Sequence, residues 1–176
     1  MNQKTAMKLF GLLGLLMLLS CGYADRHRNS SSCEQALVDS LEVRVQDSLF
    51  SNVHYSRSQL LEALTQTQDS LVYYRLLALY GKTFFVSSDF DSILYYNRRV
   101  KEFSRNASQS SESLQSPRWN DVLSDVYNIE GNVWMQLNRP DSAIIDYKKA
   151  YGYRLEGKKL HLLPDICINI ADAYLH

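Results

Sequence analysis

The chain has 176 residues, 45% of them hydrophobic, and its 19 basic and 19 acidic groups cancel to a formal net charge of zero. That length suffices for one domain with a core of its own. The charge balance leaves no strongly basic face, which argues against nucleic acid as a partner.

Met1 to Lys8 carries Lys4 and Lys8 and no acid, and an apolar run of eleven residues, Leu9 to Leu19, follows it. A membrane-spanning helix needs roughly twenty such residues, so residues 1–20 read as a secretion signal that is removed. The end of the run, Leu18-Leu19-Ser20-Cys21, resembles the lipobox of bacterial lipoproteins. That resemblance implies a diacylglyceryl thioether on Cys21, cleavage just before it, and a lipid-anchored place in the bacterial envelope. An ordinary signal peptide with an incidental cysteine is the plainer alternative. Loss of Lys4 and Lys8 would leave 17 basic groups facing 19 acidic ones. Cys33 and Cys167 lie 134 residues apart, and their pairing stays open. On an apolar helical face Cys167 would serve as a small hydrophobe.

Residues 21–32 form a flexible tether in this reading, because Gly22 to Ser32 are small, polar and aperiodic, and those eleven residues reach at most roughly 35 Å when extended. His27, between Arg26 and Arg28, reads as part of that solvated linker. From Cys33 onward the periodicity predicts helix almost throughout. Leu37, Leu41, Val45 and Leu49 mark a first helix, and Leu60, Leu61 and Leu64 a short second one. Asp69-Ser70 opens a third, with Tyr74, Leu77, Gly81 and Phe84 on one stripe, and Asp91-Ser92 a fourth that runs to about Arg105. Asn106 to Ser116 has no apolar period and predicts a loop. A fifth helix follows from about Trp119, with Leu123, Tyr127, Gly131 and Trp134 facing inward. Asp141 is expected to cap the sixth, which turns Ala143, Tyr147, Ala150 and Tyr151 inward. Pro164-Asp165 starts the seventh, with a stripe of Cys167, Ile170, Ala171 and Tyr174. No segment alternates cleanly at period two, so the fold class is all-α, with about seven helices after the signal.

Two stretches repeat in register fifty residues apart. Gly81, Phe84, Asp91-Ser92-Ile93 and Val100 line up with Gly131, Trp134, Asp141-Ser142-Ala143 and Ala150. Small residues at 131 and 143 let two helices approach, and Trp134 and Tyr147 fill the space beside them. This pattern resembles the tetratricopeptide repeat. The clearest units cover residues 74–105 and 124–155, with Asn97 where an aromatic is usual, and residues 164–176 begin a third. The resemblance covers roughly Asp69 to His176 and implies antiparallel hairpins stacked as a short solenoid; the helical domain as a whole is residues 33–176, and Leu37 to Leu64 match the repeat too poorly to assert more than two helices. The family's basic repeat is about 34 residues, so spacings of fifty and forty imply lengthened helices and one extended loop. Helix seven carries Ile166, Ile168, Ile170, Ala173 and Leu175 almost all round. Something is therefore expected to cover it: a partner, a second copy, or more chain.

Motifs that carry chemistry are scarce. His27, His54, His161 and His176 have no ligand spacing, no CxxC pair exists, and neither a phosphate loop nor a GxSxG elbow is present. No metal, no cofactor and no enzymatic activity are expected, and Asp47, Asp89, Asp91 and Glu62 read as caps and solvated faces. Asp-Ser before an apolar residue recurs at Ser40, Ser48, Ser70, Ser92 and Ser142. Helix capping explains the last three. The pattern also resembles an acceptor for protein O-glycosylation in one group of Gram-negative bacteria.

In the tetratricopeptide family the first helices of successive hairpins line a concave groove for a peptide or a helix. Carried over, the groove positions are Arg75, Ala78, Lys82 and Phe85, then Asp125, Asn128, Asn132 and Gln136, then Asp165, Ile168 and Asp172. Asn128, Asn132 and Gln136 share one face, and their amides suit a peptide backbone; the plainer reading is the polar side of a helix. The implied function is a non-enzymatic, membrane-anchored protein–protein interaction scaffold. One alternative is the sensory segment of a longer histidine kinase or diguanylate cyclase. Another is a glycan-uptake lipoprotein that uses Trp119, Tyr95-Tyr96 or Tyr151 and Tyr153.

Overall fold

The computed structural model describes residues 35–45, 47, 51–107 and 116–176. The signal segment, Cys21, the tether with His27, Cys33, Ser48, Leu49 and most of the 106–116 loop lie outside the described residues. Among the described residues there are seven α-helices and no strand, as the periodicity predicts. They are α1 (35–45), α2 (Val53–Gln66), α3 (Ser70–Lys82), α4 (Phe90–Ala107), α5 (Pro117–Gln136), α6 (Pro140–Leu155) and α7 (Leu163–Leu175). Short 3-10 turns cover Thr83–Ser87 and Leu160–Leu162.

Caps explain most of the boundaries. The Asp69 carboxylate accepts from Leu71 N–H at 2.8 Å and Val72 N–H at 3.2 Å, and so opens α3 as expected. Helix α4 begins one residue before Asp91, and its cap is Asp89, which accepts from the Ser92 amide and hydroxyl. Asp141 does not cap α6 either. It sits in the first turn behind Arg139 and Pro140, where a carboxylate still favours the positive end of the helix. Helix α4 also continues through Ala107, past the predicted loop start.

Apolar burial proceeds along the chain in four clusters. Val38, Leu41 and Val45 of α1 pack with Leu60, Ala63, Val72 and Leu76. Leu77, Val100, Trp119, Leu123 and Val126 form the next cluster, and Ile93, Ile129 and Val133 the third. Ala143, Tyr147 and Ala173 join α6 to α7. The inward edge of α1 is thus one residue off the expected stripe, because Leu37 faces outward at 45% exposure and Val38 is buried. Leu61 likewise faces out. Helices from α2 to α7 each touch the next, and alternate helices meet too, α3 with α5 and α5 with α7.

The fifty-residue echo is a structural echo as well. Ser88 and Asn138 both adopt the left-handed region, with φ of 53° and 55°, a conformation that short polar residues tolerate in tight turns. Asp89 N–H donates to Phe84 O, and Arg139 N–H to Trp134 O, at matching positions. A Cβ on Gly81 would lie 2.9 Å from Tyr96 Cβ, and one on Gly131 2.3 Å from the Tyr147 ring. Glycine is therefore demanded at both places by helix contact.

Helix α7 breaks the pattern. Ile166 and Ala173 are buried against the preceding helices, while Cys167, Ala171 and Tyr174 are exposed, contrary to the expected stripe. The matching positions on α5 face α6, the helix that follows. Burial pulls α7 onto α5 and α6, which turns its other face to solvent.

Candidate functional site

Helices α1, α3 and α5, together with the segment between α6 and α7, enclose a groove of about 500 Å³. From α3 come Arg75, Ala78, Leu79 and Lys82; from α5, Arg118, Asp121, Val122, Asp125, Val126 and Ile129. Asp39, Glu42, Val43 and Asp47 of α1 form the facing wall, and Lys158, Lys159, His161 and Leu162 close one end. Asn97 of α4 contributes to the lining from behind. The walls are balanced in sign: Asp39, Glu42, Asp47, Asp121 and Asp125 stand against Arg75, Lys82, Arg118, Lys158 and Lys159.

Much of that charge is already paired across the groove. Arg75, only 6% exposed, donates to Gln35 at 2.5 Å and to Asp39 at 2.8 Å, with Glu42 3.8 Å away. Arg118 reaches Gln35 and Asp39, and Lys159 pairs with Glu42, a contact 117 residues apart in sequence. Cations from α3, α5 and the α6–α7 segment thus converge on one acidic edge of α1. Exposed pairs of this kind contribute about 0–1 kcal/mol each. Arg75 is different, because a desolvated cation stripped of its partners is costly.

The α6–α7 segment is held by a buried anchor. Asp121 accepts from Arg154 Nη1 at 2.8 Å and from the Lys158 and Lys159 amides at 3.0 and 3.1 Å. Arg154 also pairs with Asp125. A Cβ on Gly157 would come within 2.3 Å of the Asp121 carboxylate, so glycine lets the backbone wrap around it.

Of the residues assigned to the groove from sequence, Arg75, Ala78, Lys82 and Asp125 line it. Phe85 does not; it packs with Phe90 beside Ile93, Ile129 and Val133. Asn128 Oδ1 accepts from Asn169 Nδ2 at 3.0 Å, and Asn132 Oδ1 from the Tyr147 hydroxyl at 2.8 Å, so both amides tie helices together. Gln136, Asp165, Ile168 and Asp172 are exposed away from the cavity. The residues missed were those of α1, whose repeat match is poor, the lining residues of the segment after α6, Leu79, Asn97, and Arg118, Asp121, Val122, Val126 and Ile129 of α5. Only Asn97 carried a visible signal, as a departure from the aromatic expected there.

The other candidates divide by burial. Trp119 is 2% exposed and donates its indole N–H to Ser104, so it offers no platform for a sugar. Tyr153 is stacked on Tyr127, and Tyr95 is exposed. Ser40 and Ser70 are exposed, whereas Ser92 and Ser142 are half-buried and the Ser92 hydroxyl donates to Asp89. Cys167 is an exposed free thiol. Among the described residues no cluster of His, Cys, Asp or Glu is arranged to hold a metal ion. No described helix is long and apolar enough to cross a membrane.

Two buried groups that do not line the groove have shifted pKa values. Burial raises the Glu130 carboxyl above its usual range, and the Lys101 ammonium, 2.6 and 2.8 Å from its oxygens, pulls it back. Burial, with Asp172 adding to it, pushes the Tyr147 hydroxyl up to about 12. No family model matches this chain, nor does any curated protein or solved structure.

Proposed function

We propose that this chain is a non-enzymatic, membrane-anchored scaffold of the bacterial envelope. In this reading it holds a protein or peptide in the groove between α1, α3 and α5. The hairpins would stack as a short tetratricopeptide-like solenoid, and the lipid on Cys21 would tether them. The observation that carries the reading is the groove itself, an open cleft walled by alternate helices, with an apolar base and charge of both signs. Clusters of core that follow one another along the chain, with contacts between neighbours and next neighbours, support a stacked array. Photo-crosslinking tests it in living cells. A benzophenone amino acid at Val43, on the groove wall and 62% exposed, should capture one envelope protein. The same group at Gly152, which faces open space, should not. No adduct at Val43, or equal adducts at both positions, would reject the scaffold. Fatty-acid labelling that persists in Cys21→Ser would reject the anchor.

The outer face of α7 favours a second reading. Ile168, Tyr174 and Leu175 are 65%, 61% and 85% exposed on one short helix, more apolar surface than a polar cap would present. The stack would then be the sensing part of a longer signalling protein, or would pair with a second copy. In-frame coding sequence downstream of His176 decides between these. Ser40 and Ser70 are the exposed candidates for O-glycosylation, and a secreted mass equal to polypeptide plus lipid alone would remove that proposal.

A further inference from the structure

Helix α7 sits on α6 as α5 sits on α4. Val133 of α5 shares a buried cluster with Ile93 of α4, and in the same register Ala173 of α7 shares one with Ala143 of α6. Gly131 and Ala171 then correspond, on the face that each helix turns forward. On α5 that face carries α6, with the Tyr147 ring beside Gly131. On α7 it is open, and Cys167, Ile168, Ala171, Tyr174 and Leu175 are all exposed. A copy of α6 does not fit there. A Cβ on Gly131 would lie 2.3 Å from the Tyr147 ring, and Ala171 carries that Cβ. The open face calls for a different cover.

Charge narrows what the cover is. Helical phase puts Asp165 and Asp172, two turns apart, on one flank of the apolar face and Tyr174 on the other. Beyond Tyr174 the surface continues onto α6, whose Lys148 Nζ lies 5.4 Å from the Tyr174 ring centre. Leu155 follows Lys148 by two turns and is exposed as well. Among the described residues neither Asp165 nor Lys148 has an ion pair, and Asp172 has only a 3.7 Å approach to His176. The surface thus runs acid, apolar, base from α7 across to α6.

We propose that this surface is the interface of a symmetric dimer, in which Asp165 and Asp172 of one copy meet Lys148 of the second. A two-fold axis parallel to α7 lays acid over base and buries the two apolar centres against each other. An axis perpendicular to α7 would set acid on acid. The same carboxylates disfavour an anionic lipid surface as the cover. The proposal rests on the reading in which α7 pairs with a second copy, and it names the contacts.

The test uses the full chain in cells, with Cys33→Ser and Cys167→Ser as background. Ala171→Cys lies beside the axis and should give a disulfide dimer on mild oxidation. Gly152→Cys, which faces open space on α6, should not. Asp165→Lys with Asp172→Lys should cut the dimer yield more than about tenfold, through like charges brought together. Adding Lys148→Asp should restore it, a result that misfolding does not produce. No dimer from Ala171→Cys, equal dimer from Gly152→Cys, or a charge reversal that Lys148→Asp fails to rescue would overturn the interface. Sedimentation equilibrium of the purified full chain in density-matched nonionic micelles separates the two levels. A dimer that ignores every charge change would overturn these contacts and leave the second-copy reading standing, and a monomer would overturn both.

Discussion

Helix pairs α3–α4 and α5–α6 share a turn, a glycine contact and a register, yet they fill their interiors differently. At one pair of positions Phe84 stacks on Tyr96, with centroids 5.6 Å apart, where its echo joins the Trp134 indole N–H to Asp146 at 2.8 Å. At another, Asn97 stands where Tyr147 stands. The α5–α6 pair links Tyr147 to Asn132 and Asp146 to both Trp134 and Lys149, and it leaves Arg154 Nε without a partner. The α3–α4 pair leaves the buried Asn97 Oδ1 without one. One unit fills its interior with polar links between helices. The other fills it mainly with packed rings.

Making the second unit like the first should do the most damage. Tyr147→Asn removes a ring that is 2% exposed and opens a cavity against Gly131. Urea unfolding should show a loss of about 4 kcal/mol. A loss below about 1 kcal/mol would mean that the two interiors are interchangeable. The glycine contacts come next. Gly131→Ala places a methyl into the Tyr147 ring, and Gly81→Ala one against Tyr96 Cβ at 2.9 Å. Overpacking offsets the helix-propensity gain of about 1 kcal/mol, so Gly131→Ala should cost about 2 kcal/mol net and Gly81→Ala less. The reverse order would show that the rings yield more easily than the helix backbones.

Alkaline pH separates the units in another way. Tyr147 titrates at about 12 in the folded chain against 10.0 as its ordinary value. The folded state therefore keeps this proton after the unfolded chain has lost it. The contribution is complete below pH 10, declines above it, and is gone by pH 12, a loss of roughly 2–3 kcal/mol. Tyr147→Phe should flatten that decline in a pH series of urea melts, at a cost of about 1 kcal/mol at neutral pH for the lost bond to Asn132. An unchanged alkaline limb would place its cause elsewhere. The smallest effect belongs to Asn97→Leu, which loses one hydrogen bond and removes one orphan. Its stability should stay within about 1 kcal/mol of wild type, and a larger loss would show that the bond from Asn97 to the Val126 carbonyl carries more of the fold than one hydrogen bond usually does.

The echo made the helices from α3 to α6 legible, because spacing at 3.6 residues per turn and glycine opposite an aromatic are local statements about contact. The candidate site was only half legible. Arg75, Lys82 and Asp125 follow from helical phase on α3 and α5, but Asn128 and Asn132 share that phase and are held by Asn169 and Tyr147. Helix phase gives a direction; it does not say what the direction meets. The Asp-Ser pairs teach the same lesson at smaller scale, since Asp69 caps its helix while Asp91 and Asp141 fall within the first turn.

By itself the sequence determined the all-α class, the fifty-residue register, and the two glycines at which helices touch. Each of these is encoded in residues a few turns apart along one chain direction. Only the tertiary structure decided that α1 closes the groove through Glu42 and Lys159, that α7 turns Cys167 and Tyr174 outward, and that the Asn97 oxygen has no partner. Those outcomes depend on which distant surfaces are left to bury and which polar atoms remain unpaired once packing is complete. No local period carries that information.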